Sequence, residues 1–129
     1  MKLSVNSEEF QKHKQYVSLN VSEWSKNANC KSLPIELFYE NEDSQLKKTA
    51  RRYCVTCPVQ NKCLYTAIIL NEQHGLWGGF TTRQRKNFYK RLVSFYSQKG
   101  YDFKNWNDKL SSLIYKNTQI QKAADFLQS

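Results

Sequence analysis

Apolar residues in this chain recur at helical spacing in separate runs, with polar punctuation between them. Leu46, Ala50, Tyr53 and Cys54 fall on one face of a helix, and Lys47, Lys48, Arg51 and Arg52 fill the others. Ser44 stands where an N-cap belongs, so a helix is predicted from there to about Val55. Pro58 forbids simple continuation and suits the first position of a new helix. That helix carries Val59, Cys63, Ala67 and Leu70 and is expected to stop at Gly75. An apolar turn, Leu76-Trp77-Gly78-Gly79-Phe80, comes next. Thr81 and Gln84 then match a capping box ahead of a helix with Phe88, Leu92 and Phe95 on one face, ended by Gly100.

The flanks are more polar. Ser7 can cap a short helix to about Val17, and Trp24 to Phe38 reads as loop and short turns broken by Pro34. Downstream, two weaker helices are expected at about 107–116 and 119–127. Thr118 with Gln121 repeats the capping-box spacing, and Ile120, Ala123, Ala124 and Leu127 form an apolar stripe. These helices could make a hairpin on the core through Trp106, Leu110, Leu113, Ile114 and Leu127, or open a helix-turn-helix. No run alternates as a strand does. The expected fold class is all-α, with about four or five short helices. A polar arm at 1–22, a central domain at 23–100 and a helical extension at 101–129 make up the organisation.

Composition sharpens this reading. The longest aliphatic run, Ala67-Ile68-Ile69-Leu70, is far too short for a membrane span, and the first residues have no apolar signal core. A cytoplasmic chain with reduced thiols and no membrane partner is expected. Charge is uneven: residues 1–45 carry five Lys and seven acids, whereas residues 46–129 carry fifteen Lys and Arg against four acids. The basic part suits an anionic partner and the acidic arm a protein or self contact, although charge of this kind also serves plain solubility. Arg83, Arg85, Lys86, Lys90 and Arg91 concentrate five cations in nine residues, a candidate phosphate-binding stretch or simply a solvated helix face. No Ser-His-Asp set, paired-carboxylate context or phosphate loop occurs, so neither catalysis nor a small-molecule substrate is expected. His74, beside Gly75, reads as a helix-end residue.

Four cysteines, Cys30, Cys54, Cys57 and Cys63, stand out at C-x23-C-x2-C-x5-C spacing. Converging them from three segments needs a ligand that offsets the chain entropy. Structural zinc sites usually pair two short knuckles, and only one exists here. Iron–sulfur clusters tolerate uneven spacing because each thiolate binds a different corner. Spacing alone leaves both metals open. Lys31, Arg51, Arg52 and Lys62 could balance thiolate charge for either. Cys54-Val55-Thr56-Cys57 could also act as a redox pair, but no strand pattern supports a thioredoxin context.

Trp24, Ala28 and Cys30 are followed by Leu37-Phe38-Tyr39, Cys54-Val55-Thr56-Cys57-Pro58-Val59, Cys63-Leu64, Ala67 and Gly75-Leu76-Trp77-Gly78-Gly79. With these residues the chain resembles the WhiB-like family of actinobacterial and phage regulators over roughly residues 24–91. The resemblance implies a small all-α domain around one [4Fe–4S] cluster, with Cys30, Cys54, Cys57 and Cys63 as ligands. It also implies docking, in the cluster-bound form, on region 4 of the primary sigma factor of RNA polymerase. Trp77, Gly78 and Gly79 would form the docking turn, with Trp24, Phe38 and Tyr39 as further aromatic contacts. Arg83, Arg85, Lys86, Lys90 and Arg91 would contact promoter DNA, and the cluster would respond to nitric oxide or oxygen. Departures from the family pattern are Glu40 where Pro is common, Gln84 for the usual Glu, no Arg-Gly-Arg hook, and the unmatched residues 101–129. A zinc-stabilised DNA-binding module and a thiol–disulfide reductase in the cluster-free form stand as alternatives.

Overall fold

Helical periodicity becomes six helices in the computed structural model, which describes residues 8–33, 44–99 and 103–128. Helix α1 (Glu8–Leu19) turns Phe10 and Val17 inward. Where the sequence suggests only loop and turns, a short helix α2 (Val21–Ser25) and a 3-10 turn (Asn29–Ser32) form instead. Helix α3 (Ser44–Val55) has the predicted bounds. Helix α4 (Gln60–Ile69) is the most buried element, with Leu64, Thr66, Ala67, Ile68 and Ile69 all inside. Helices α5 (Thr82–Lys99) and α6 (Phe103–Gln128) complete the chain. Among the described residues the β pairing is one isolated bridge, Trp77 with Phe80.

The end of α4 departs from expectation. It comes at Ile69 rather than Gly75, because Asn71 adopts a left-handed conformation with φ of 52°. The Glu72 N–H then donates to the Ala67 carbonyl at 2.9 Å and the Asn71 N–H to that of Ile68 at 3.1 Å. This is the paired closure of a Schellman motif, with Asn in the position glycine usually fills. The start of α5 follows expectation. The Gln84 N–H donates to the Thr81 hydroxyl at 3.2 Å and the Thr81 N–H to the Gln84 side-chain oxygen at 2.8 Å. An amide oxygen accepts as a carboxylate would, so Gln84 closes the capping box in place of Glu. Gly100 and the side chain of Phe95 lie outside the described residues.

The C-terminal extension is one continuous helix, neither a hairpin nor the opening of a helix-turn-helix. Its buried stripe is Leu110, Ile114 and Thr118, four residues apart. Thr118 is fully enclosed and shares its hydroxyl proton between Asn61 Oδ1 at 2.8 Å and the Tyr115 carbonyl at 3.0 Å. A threonine held by that tertiary contact cannot cap a new helix, so the local Thr118–Gln121 signal is overridden. Ile120, Ala123 and Ala124 face solvent instead of forming a core stripe. The side chains of Trp106 and Leu127 lie outside the described residues.

The apolar core joins α1, α4, α5 and α6 through Phe10, Val17, Leu64, Ile68, Phe88, Leu92, Leu110 and Ile114, with Phe80 from the turn. Phe80 meets Phe88 edge-on, ring centroids 5.7 Å apart. Among the helix pairs, α6 packs most extensively on α4 and also touches α3 and α5. A smaller cluster, Ala50 and Cys54 with Leu33 and Leu76 against them, forms a second pole.

Candidate metal centre

The second pole is where the cysteines meet. Cys30 sits in the 3-10 turn, Cys54 near the end of α3, Cys57 in the link to α4, and Cys63 in the first turn of α4. Backbone bonds shape the link: the Cys57 N–H donates to the Cys54 carbonyl at 3.0 Å and the Gln60 N–H to the Cys57 carbonyl at 3.2 Å. The chain therefore turns sharply at Pro58, and α4 starts in a new direction. Asn29 ties the distant segment in place. Its side-chain amide donates to the Tyr53 carbonyl at 3.0 Å and to the Thr56 hydroxyl at 3.2 Å. All four thiols line a single cavity of about 390 Å³, with Trp24, Trp77 and Leu76 among its other walls.

Backbone donors point at the sulfurs. Gly78 and Gly79 form the centre of a tight turn closed in both directions between Trp77 and Phe80, at 3.1 and 3.0 Å. Both glycines have positive φ, 59° and 83°, as a type I′ turn requires. In this geometry the Gly79 N–H serves Cys54 and the Gly78 N–H serves Cys63. The Asn29 N–H reaches the Cys57 sulfur at 3.5 Å.

Without a metal these thiols hold their protons. Burial pushes Cys54 up to about 12, and the neighbouring Cys63, Cys30 and Cys57 raise it further, against the Gly79 N–H. Burial likewise pushes Cys63 up to about 12, partly opposed by the Gly78 N–H. Cys30 is raised by burial and by Cys57. Mutual repulsion of this kind marks thiolates that cannot all ionise unless a cation joins them. Among the described residues no three Cys, His, Asp or Glu side chains close on one point as a ready-made ion site. The thiols instead surround a cavity whose walls carry no carboxylate or imidazole. A donor set of sulfur alone, spread around a wide cavity and backed by N–H donors, fits an iron–sulfur cube better than a lone tetrahedral ion.

The other candidate residues separate. Trp24 and Trp77 are half-buried at the cavity wall, and the Trp77 indole N–H donates to the His74 carbonyl at 3.0 Å. Gly78 and Gly79 are buried, so an outside partner would meet Trp77 rather than the glycines. Phe38 and Tyr39 lie outside the described residues. On α5, Arg83, Lys86, Lys90 and Arg91 are exposed, the first three along one stripe.

Arg85 is a correction: it is 3% exposed and turned inward, where a DNA phosphate cannot reach it. Its guanidinium donates to the carbonyls of Phe80 at 2.6 Å, Gly75 at 2.8 Å and Glu72 at 3.2 Å. It gathers the loop between α4 and α5 and so holds the Trp turn. A cation run cannot reveal this, because burial depends on which carbonyls the loop presents. Sequence reasoning also missed Gln60 and Gln121. Gln60 donates to the Gly78 carbonyl at 2.9 Å and Gln121 to the Gly79 carbonyl at 2.7 Å.

Comparison with known proteins bears on the same segment. The family described as "Transcription factor WhiB" matches residues 24–88. The Transcriptional regulator WhiB of Streptomyces coelicolor is 30% identical over 70 residues, 54% of this chain and 79% of its own length. The Transcriptional regulator WhiB2 of Bifidobacterium longum is 35% identical over 68 residues, 53% of this chain and 67% of its own. The Transcriptional regulator WhiB2 of Mycobacterium tuberculosis is 27% identical over 71 residues, 55% and 79%. The names are those of regulators, not enzymes. The matched segment contains the whole thiol cavity and ends inside α5, before α6 begins.

Proposed function

Since the chain belongs to the WhiB family and is a transcriptional regulator by that membership, we propose that Cys30, Cys54, Cys57 and Cys63 hold a [4Fe–4S] cluster. We propose further that the cluster-bound protein docks on region 4 of the primary sigma factor and contacts promoter DNA. The observation that carries the reading is the set of four thiols from three segments around one cavity. When bound, a cluster there supplies a centre sensitive to nitric oxide and oxygen. The protein's part is to gather the thiolates, direct N–H donors at them and limit access with Trp24 and Trp77.

Trp77 is the docking residue of choice, because it presents apolar area beside the cavity while its polar edge is already satisfied. Cluster loss would loosen the pole that carries Trp77 and weaken docking without any change at the core. Promoter contact falls to Arg83, Lys86, Lys90 and Arg91, which act by neutralising phosphates and releasing counterions. Replacing Lys86 or Lys90 by Gln should lower the salt dependence of DNA binding by about one unit of slope each.

The direct test is titration of holoprotein and metal-free protein against isolated sigma region 4. The reading expects the holoprotein to bind at least about tenfold tighter, a difference of about 1.4 kcal/mol. Equal binding by the two forms would overturn it.

A further inference from the structure

Two glutamines from distant parts of the chain fasten the turn that faces the thiols. Gln60, at the start of α4, donates through its side-chain amide both to the Gly78 carbonyl at 2.9 Å and to the Gln121 oxygen at 2.7 Å. Gln121, on α6, donates to the Gly79 carbonyl at 2.7 Å. The two side chains thus join both glycine carbonyls in one chain of hydrogen bonds. Gln60 is 2% exposed, and a Cβ added at Gly79 would lie only 2.9 Å from Gln121.

Peptide planarity turns this clamp into an aiming device. In a trans peptide the carbonyl and the following N–H point in opposite directions. Gln60 holds the Gly78 carbonyl, so the Gly79 N–H of the same peptide is directed away from Gln60 and serves Cys54. Gln121 holds the Gly79 carbonyl, so the Phe80 N–H of that peptide is directed back to the Trp77 carbonyl, at 3.0 Å. With the Trp77 carbonyl fixed, the Gly78 N–H of its peptide serves Cys63.

We infer that Gln121, acting with Gln60, is a positioning residue for the metal centre: it aims the Gly78 and Gly79 N–H groups at the sulfurs of Cys63 and Cys54. In this way α6, outside the matched segment at residues 24–88, helps set the reduction potential and lifetime of the centre. The inference rests on the [4Fe–4S] reading. Donors to sulfur stabilise the more negative, reduced state and so raise the potential. Groups that orient ligands and their donors also slow loss of the metal.

The experiment compares wild-type protein with Gln121→Leu, Gln121→Glu and Ile120→Ala after anaerobic cluster reconstitution. Ile120 is solvent-exposed on the same helix and serves as the control. Dithionite titration delivers one electron to the cluster and reads the potential, and loss of visible absorption in air reads the lifetime. Gln121→Leu should shift the potential to more negative values and speed cluster loss by about tenfold. Gln121→Glu keeps the acceptor for Gln60 but loses the donor to Gly79, and should fall between. Ile120→Ala should match wild type. Should the Leu variant fail to fold, the Glu variant carries the same comparison. A Gln121 variant that holds the cluster with wild-type potential and lifetime, even if it melts lower, overturns the inference alone. A wild-type protein that takes up no cluster overturns it together with the reading beneath it.

Discussion

At one end of the molecule, Leu64, Leu92, Leu110 and Ile114 are sealed from water between α1, α4, α5 and α6. At the other, only Ala50 and Cys54 are buried together, with Leu33 and Leu76 leaning on them. Each enclosed leucine contributes about 1.5–3 kcal/mol by leaving water, so the first end is held by apolar burial. The second has little apolar area to draw on, and it asks several backbone N–H groups to face sulfur. A pole of this kind is completed by a ligand. The difference also divides labour: the core fixes α4 and α5, and the pole then presents a centre whose state can change without unfolding the rest.

The largest expected effect strikes the pole alone. Cys63→Ser should abolish the visible chromophore and sigma binding while far-UV circular dichroism keeps most of its helical signal; loss of the helical signal as well would erase the distinction between the two ends. Next, Leu92→Ala should cost about 2–5 kcal/mol in denaturant unfolding because it opens a cavity in the closed core. The variant should still take up its cluster once folded, and a specific failure of uptake would contradict the division.

Arg85→Met acts on the loop between the two ends. It strips the carbonyls of Phe80, Gly75 and Glu72 of a shared donor and should cost about 1–3 kcal/mol. The salt dependence of DNA binding should stay at the wild-type value, and a fall in slope would return Arg85 to the phosphate-contacting set. The smallest effect belongs to the α5 cap: Thr81→Ala should cost about 1 kcal/mol, read as a lower melting temperature with an unchanged cluster spectrum.

What was legible in the sequence was local. The bounds of α3, the Thr81–Gln84 capping box and the Gly-Gly turn follow from neighbouring residues and appear as expected. The four cysteines carry their own signal. What escaped depends on partners far away in the chain. Thr118 and Gln121 carry a helix-start signal, yet Asn61 and Gly79 claim their side chains and α6 runs straight through. Arg85 reads as one more cation until the carbonyls of Gly75 and Phe80 draw it inside. Asn71 ends α4 early because a left-handed asparagine satisfies the last carbonyls before Gly75 is reached.

The most direct test of the central claim is the visible absorption spectrum of protein purified without oxygen, with iron, sulfide and zinc assayed on the same sample. The account predicts a broad brown absorption and matching amounts of iron and sulfide, about four of each per chain. A colourless protein carrying one zinc, even after attempted cluster reconstitution, would contradict it.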